Sequence, residues 1–84
     1  MNTGYEMFLL VCEEMSFSGA ARRAFVTQQC LSDHIRRLEE RFGVRLFERR
    51  PRLQLTPAGQ TLRASLLQMQ ALEEELNTRL GQYN

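Results

Sequence analysis

The 84 residues carry a net charge of +1, two cysteines and one histidine, and every one of the eleven cationic side chains is arginine. A chain this short makes one domain, or one domain with an appended element, and buries only somewhat more than ~60% of its unfolded surface, so a lone copy is marginally stable. Cys12 and Cys30 have neither a CxxC spacing nor a disulfide framework and read as reduced thiols of a cytoplasmic protein, and no apolar run approaches the ~20 residues of a membrane span.

Five scattered glycines and the single His34 supply no phosphate-binding loop, metal cluster or nucleophile–base pair, which argues against an enzyme. The charge is unevenly spread. Residues 1–17 hold three acids and no base, residues 18–56 hold nine arginines against four acids, and residues 57–84 hold two arginines against three acids. The middle segment is therefore the basic one, and arginine suits bidentate contact with phosphate and guanine.

The first expected element starts at Asn2 or Thr3 and runs to Met15. Tyr5, Phe8, Leu9, Val11, Cys12 and Met15 recur at helical spacing, with Thr3 as cap and Glu6 completing a capping box. Its apolar stripe covers the helices that follow. Ser18 is the expected N-cap of a short second helix containing Ala20, Ala21 and Ala24, small residues that let a crossing helix approach. Phe25 and Val26 make the turn.

Thr27 caps a third helix, about 28–42, in which Leu31, Ile35, Leu38 and Phe42 form one buried stripe and Gly43 ends it in a left-handed conformation. Gln28, Gln29, Ser32, Asp33, Arg36 and Arg37 lie away from that stripe. Gln bonds adenine and Arg bonds guanine or phosphate, while Thr27, Ser32 and the helix N-terminus suit phosphate oxygens. A solvated polar face is the alternative, and Asp33 favours it unless an arginine or a cytosine amino group satisfies the carboxylate. His34 sits at the edge of the packed face as a packing residue.

Two short strands follow, with a turn near Pro51 and the alternation Leu53-Gln54-Leu55. Arg49, Arg50 and Arg52 crowd the tip with no acid expected to neutralise them, a pattern suited to the negative minor groove. Thr56-Pro57 then opens a long last helix. Leu62, Leu66, Met69, Leu76 and Leu80 trace a seam interrupted by Glu73, with Leu72 beside it. A second copy of the chain is the expected partner, giving a twofold homodimer fitted to pseudo-palindromic DNA. Packing of this helix back on its own domain is the alternative.

The expected architecture is thus mainly α: a winged helix-turn-helix of three helices and a two-stranded β wing over residues 1–56, then a dimerisation helix over 57–84. Short motifs agree with it jointly. Phe8-x-x-Val11 with Ser16-Phe17-Ser18-x-Ala20-Ala21 resembles the opening of LysR-type transcriptional regulators. So do Val26-Thr27-Gln28-x-x-Leu31-Ser32-x-x-Ile35-x-x-Leu38-Glu39, Gly43-Val44-x-Leu46-Phe47-Glu48-Arg49 and Leu55-Thr56-x-Ala58-Gly59. The resemblance spans roughly residues 3–80 without gaps.

The resemblance implies a bacterial or archaeal regulator that binds double-stranded promoter DNA through Thr27, Gln28, Gln29 and Ser32, with Arg36 as a further contact and Arg49 and Arg50 in the wing. It also implies a larger C-terminal domain for a small-molecule effector, so these 84 residues read as the DNA-binding part of a longer chain, a part expected to hold no cofactor of its own. Three positions depart from the pattern: Gln29 stands where Pro is frequent, Asp33 where a basic or neutral polar residue is usual, and Met15 where Gly is frequent. A protein-interaction module is the rival function, and it would present an exposed apolar patch in place of the arginine tip.

Overall fold

Each helix starts where a short polar side chain can satisfy a free backbone N–H, and those caps set the element boundaries. In the computed structural model, which describes all 84 residues, α1 spans Thr3–Glu14, α2 Phe17–Ala24, α3 Gln28–Phe42 and α4 Pro57–Gly81, with β1 at Phe47–Glu48 and β2 at Gln54–Leu55. The N-caps are Asn2, Ser16, Thr27 and Thr56, whose side chains accept from the backbone N–H groups of Tyr5, Gly19, Cys30 and Gly59.

Two of these correct the sequence-based expectation. Asn2 caps α1 in place of Thr3, its Oδ1 accepting from Tyr5 N at 2.8 Å, so Thr3 is the first helical residue. Ser16 caps α2 in place of Ser18, accepting from Gly19 N at 3.0 Å. Starting α2 two residues earlier turns Phe17 inward, where its ring meets Phe47 edge-on at a centroid distance of 5.6 Å.

The core is built from one face of each of the first three helices and closed by the base of the wing. Phe8, Val11, Ala20, Leu31, Ile35, Leu46 and Phe47 are buried in it. Phe8 also packs on Phe47, at 5.4 Å, so a single wing aromatic contacts both α1 and α2. The strands pair antiparallel with Phe47 opposite Leu55 and Glu48 opposite Gln54. Glu39 near the end of α3 accepts from Leu46 N at 2.8 Å, which fixes the exit from that helix.

The wing is joined to α4 by a compact lock. Thr56 Oγ1 donates to the Arg45 carbonyl at 2.6 Å and accepts from Gly59 N at 2.9 Å, while Thr56 N donates to the Leu46 carbonyl at 3.0 Å. A Cβ on Gly59 would collide with the Leu46 carbonyl oxygen, so only glycine lets α4 approach the wing base this closely. Gly43 ends α3 at φ +68, as its position after Phe42 predicts.

α4 then leaves the domain and stretches the molecule to 50 Å in its longest dimension. Its first turns remain part of the core. Leu66 is 1% exposed and belongs to the same cluster as Phe8 and Leu31. Leu62 is half-buried and lines an open apolar groove of about 430 Å³ with Phe42, Val44 and Leu46. Leu66 is therefore corrected from seam residue to core residue, because the stripe it lies on meets the domain before it runs free. Further along, the Met1 amino group donates to Glu73 Oε1 at 2.7 Å. Met69, Leu72, Leu76 and Leu80 are exposed. No helix is long and apolar enough to cross a membrane.

Two helix ends carry strain. Met15 and Phe25 adopt positive φ, 47° and 57°, a region that costs a side-chain-bearing residue about 1–2 kcal/mol relative to the right-handed one. Phe25 is also 95% exposed, so its ring recovers nothing by burial. Phe25→Gly is expected to raise stability by about 1 kcal/mol, a melting point roughly 4–8 °C higher for a chain of this length. A melting point that falls in thermal circular dichroism would mean the ring makes a stabilising contact after all.

Candidate nucleic-acid interface

The helix-turn-helix is α2 and α3 joined through Phe25, Val26 and Thr27, and its exposed elements are the N-terminus of α3 and one long polar face. Thr27 Oγ1 accepts from Cys30 N at 3.0 Å, which leaves the hydroxyl hydrogen free to donate outward. Gln28, Gln29, Arg36 and Arg37 are exposed, and Ser32, Asp33 and His34 are half-buried. The half-buried setting of His34 agrees with a packing residue at the helix flank. The helix N-terminus itself carries partial positive charge and favours an anion.

The polar face is internally bonded. Gln29 Nε2 and Arg36 Nη2 both donate to Asp33 Oδ1 at 3.1 Å, and Arg36 Nη1 donates to Glu40 Oε1 at 3.1 Å. The four residues stand at spacings of four, three and four, each step placing one side chain above the next on the same helix face. The Arg36 guanidinium holds the Asp33 carboxyl below its ordinary range, assisted by the Gln29 amide, so the group stays ionised. This bonded series was readable from the spacing alone, yet the residues look independent when each is considered as a separate DNA contact.

Of the nine arginines between residues 18 and 56, only Arg23, Arg36 and Arg45 meet a carboxylate. Arg22, Arg37, Arg41, Arg49, Arg50 and Arg52 meet no carboxylate, and all six are exposed. At the wing the three arginines are not equivalent. Arg49 lays its guanidinium over the buried Phe17 ring, 4.0 Å from the centroid, and so ties the wing to the start of α2. Sequence alone gave no sign of that contact, which joins residues thirty-two positions apart. Arg50 and Arg52 flank Pro51 at the tip.

Cys12 supplies no competing chemistry. Burial pushes the Cys12 thiol up to about 11, which keeps it protonated and unreactive at neutral pH. Neither cysteine is disulfide-bonded.

Comparison with known proteins agrees with this geometry. Residues 3–60 match the family described as bacterial regulatory helix-turn-helix protein, lysR family. The HTH-type transcriptional regulator ArgP of Aeromonas salmonicida is 42% identical over 66 residues, 79% of this chain and 22% of that protein. The HTH-type transcriptional regulator AlsR of Bacillus subtilis is 40% identical over 83 residues, 92% of this chain and 28% of that protein. The chain thus spans about a quarter of the length of such relatives. Among solved structures, the BenM DNA-binding domain in complex with catB site 1 DNA superposes with a TM-score of 0.89 at 28% identity, covering 99% of this chain and 96% of that one.

Proposed function

The chain belongs to the LysR family of bacterial helix-turn-helix regulators, and from that premise we propose that it binds promoter DNA as a homodimer. In this reading α3 enters the major groove and the wing arginines reach the adjacent minor groove. The observation that carries it is the surplus of exposed arginines without a carboxylate partner, among them Arg37 on α3 and Arg49, Arg50 and Arg52 on the wing. An interaction module would bare apolar surface there instead. The DNA-bound state of the BenM domain supports the same use of this fold.

Thr27, Gln28 and Ser32 suit phosphate and groove contacts at the start of α3, and Gln29 suits base readout. Dimerisation falls to the exposed part of α4. Met69, Leu72, Leu76 and Leu80 leave an apolar stripe that a second copy would cover. Leu62 lies nearer the domain, half-buried in the groove it lines with Phe42, Val44 and Leu46.

Fluorescence anisotropy of the 84-residue chain tests this, using an AT-rich pseudo-palindromic duplex and a scrambled duplex of equal length at several salt concentrations. Binding that weakens steeply with salt and favours the palindrome is the expected result. Absence of binding at low salt would refute it. Once a preferred site is known, Gln29→Ala is expected to lower affinity for it by roughly 1–3 kcal/mol and to change the base favoured at one position. An equal loss on every sequence would remove Gln29 from base readout.

A further inference from the structure

Asp33 sets a carboxylate on the face of α3 that the proposed function directs toward a polyanion. Its Oδ1 is occupied by Gln29 and Arg36, and Arg36 is held on its other side by Glu40. Simple hydrogen-bond chemistry draws three consequences from that arrangement. An ionised carboxylate can only accept, so the Gln29 amide has to turn its nitrogen toward Asp33 and its carbonyl oxygen away. Arg36, the side chain that would grip guanine bidentately, already commits one N–H of each terminal nitrogen to Glu40 and Asp33. Gln29 Oε1 and Asp33 Oδ2 are left as acceptors without a partner in the protein.

At positions 29 and 33, α3 therefore presents acceptors where a guanine-reading helix presents donors. Across the linked residues, one arginine faces two carboxylates, so the patch carries net negative charge. In the major groove, cytosine offers its N4 amino group and adenine its N6 amino group, while guanine offers O6 and N7 and thymine offers O4. Acceptors facing amino groups bond; acceptors facing O6 or O4 repel.

Resting on the DNA-binding reading above, we propose that Asp33, together with the Gln29 amide it orients, is a specificity determinant that selects amino-bearing bases. Cytosine N4 donates to the Asp33 carboxylate and adenine N6 donates to Gln29 Oε1, whereas guanine and thymine are rejected on the contacted strand. Asp33 acts both as a direct acceptor and as the positioning residue for Gln29. The cost of a carboxylate near phosphates is met by the Arg36 guanidinium, which stays with Asp33 and does not serve as an independent phosphate contact.

The test is selection of randomised duplexes by the 84-residue chain and by its Asp33→Asn variant, with thermal circular dichroism confirming that both are folded. For the unsubstituted chain, cytosine or adenine is expected over guanine or thymine at a position in each half-site by roughly 5- to 150-fold, the discrimination of one good base contact. Asn adds a donor to the acceptor, so Asp33→Asn is expected to lose that preference at the same position while the others keep theirs. Identical preferences in the two proteins would overturn the inference. So would a uniform gain in affinity on all sequences, which would make Asp33 a repelling charge only. Absence of DNA binding by the unsubstituted chain would overturn the functional reading itself and the inference with it.

Discussion

Leu66→Ala is expected to cost about 2–5 kcal/mol of folding stability, a fall in melting temperature on the order of 10–30 °C for a chain of this length. Leu66 is 1% exposed, packed in the cluster that holds Phe8, Leu31 and Phe47. Truncating it opens a cavity where α4 crosses the domain, and a whole-domain stability of about 5–15 kcal/mol leaves little margin. Leu76→Asp is expected to behave differently. Its side chain is exposed on the free part of α4, so the domain should stay folded while sedimentation shifts from dimer to monomer.

In the unsubstituted protein, coupling of folding to assembly would make the melting point depend on protein concentration, and Leu76→Asp should abolish that dependence. The two variants thus separate two jobs that share one helix. A Leu66→Ala protein that melts normally but sediments as a monomer would return Leu66 to the seam. A Leu76→Asp protein that remains dimeric would place the interface elsewhere.

The contrast along α4 also marks where sequence reading ran out. Helical spacing defines a stripe but not what the stripe faces, and only the tertiary contact of Leu66 with the first three helices divides the stripe into a core half and a free half. Features fixed by neighbours in the chain were legible: Thr27 and Thr56-Pro57 as helix starts, Gly43 as a left-handed stop, and the wing turn around Pro51. Where two cap-competent residues stood close together, local chemistry did not choose between them. Ser16 won over Ser18 because that register buries Phe17 against Phe47, a long-range contact.

The candidate interface divides in the same way. The polar face of α3 and the arginine tip were legible from composition and spacing. The bonded series from Gln29 to Glu40 follows from spacings of three and four, and so it was within reach of the sequence. Phe25 was not, since nothing about a phenylalanine announces a left-handed turn position. Nor was the Arg49–Phe17 stack, which exists only because Ser16 turns Phe17 into the core beside the wing.

That stack determines how the wing arginines should be tested. Arg50→Ala combined with Arg52→Ala is expected to weaken DNA binding and to flatten the plot of log affinity against log salt. The slope should fall by roughly 0.9 for each phosphate no longer neutralised, about 2 per protomer if both side chains reach phosphate. Neither side chain meets a carboxylate or a ring within the protein, so the melting point should hold while affinity falls on all sequences alike. Arg49→Ala removes a charge from the same wing but also the stack on Phe17, an interaction worth about 0.5–1 kcal/mol when partly exposed. A lower melting point should therefore accompany its weaker binding. Arg49→Lys keeps the charge and should retain most of the salt slope, because counterion release counts charge and not guanidinium geometry. A double variant at Arg50 and Arg52 with an unchanged slope would place the wing off the DNA, and the tip arginines would then have to serve another partner.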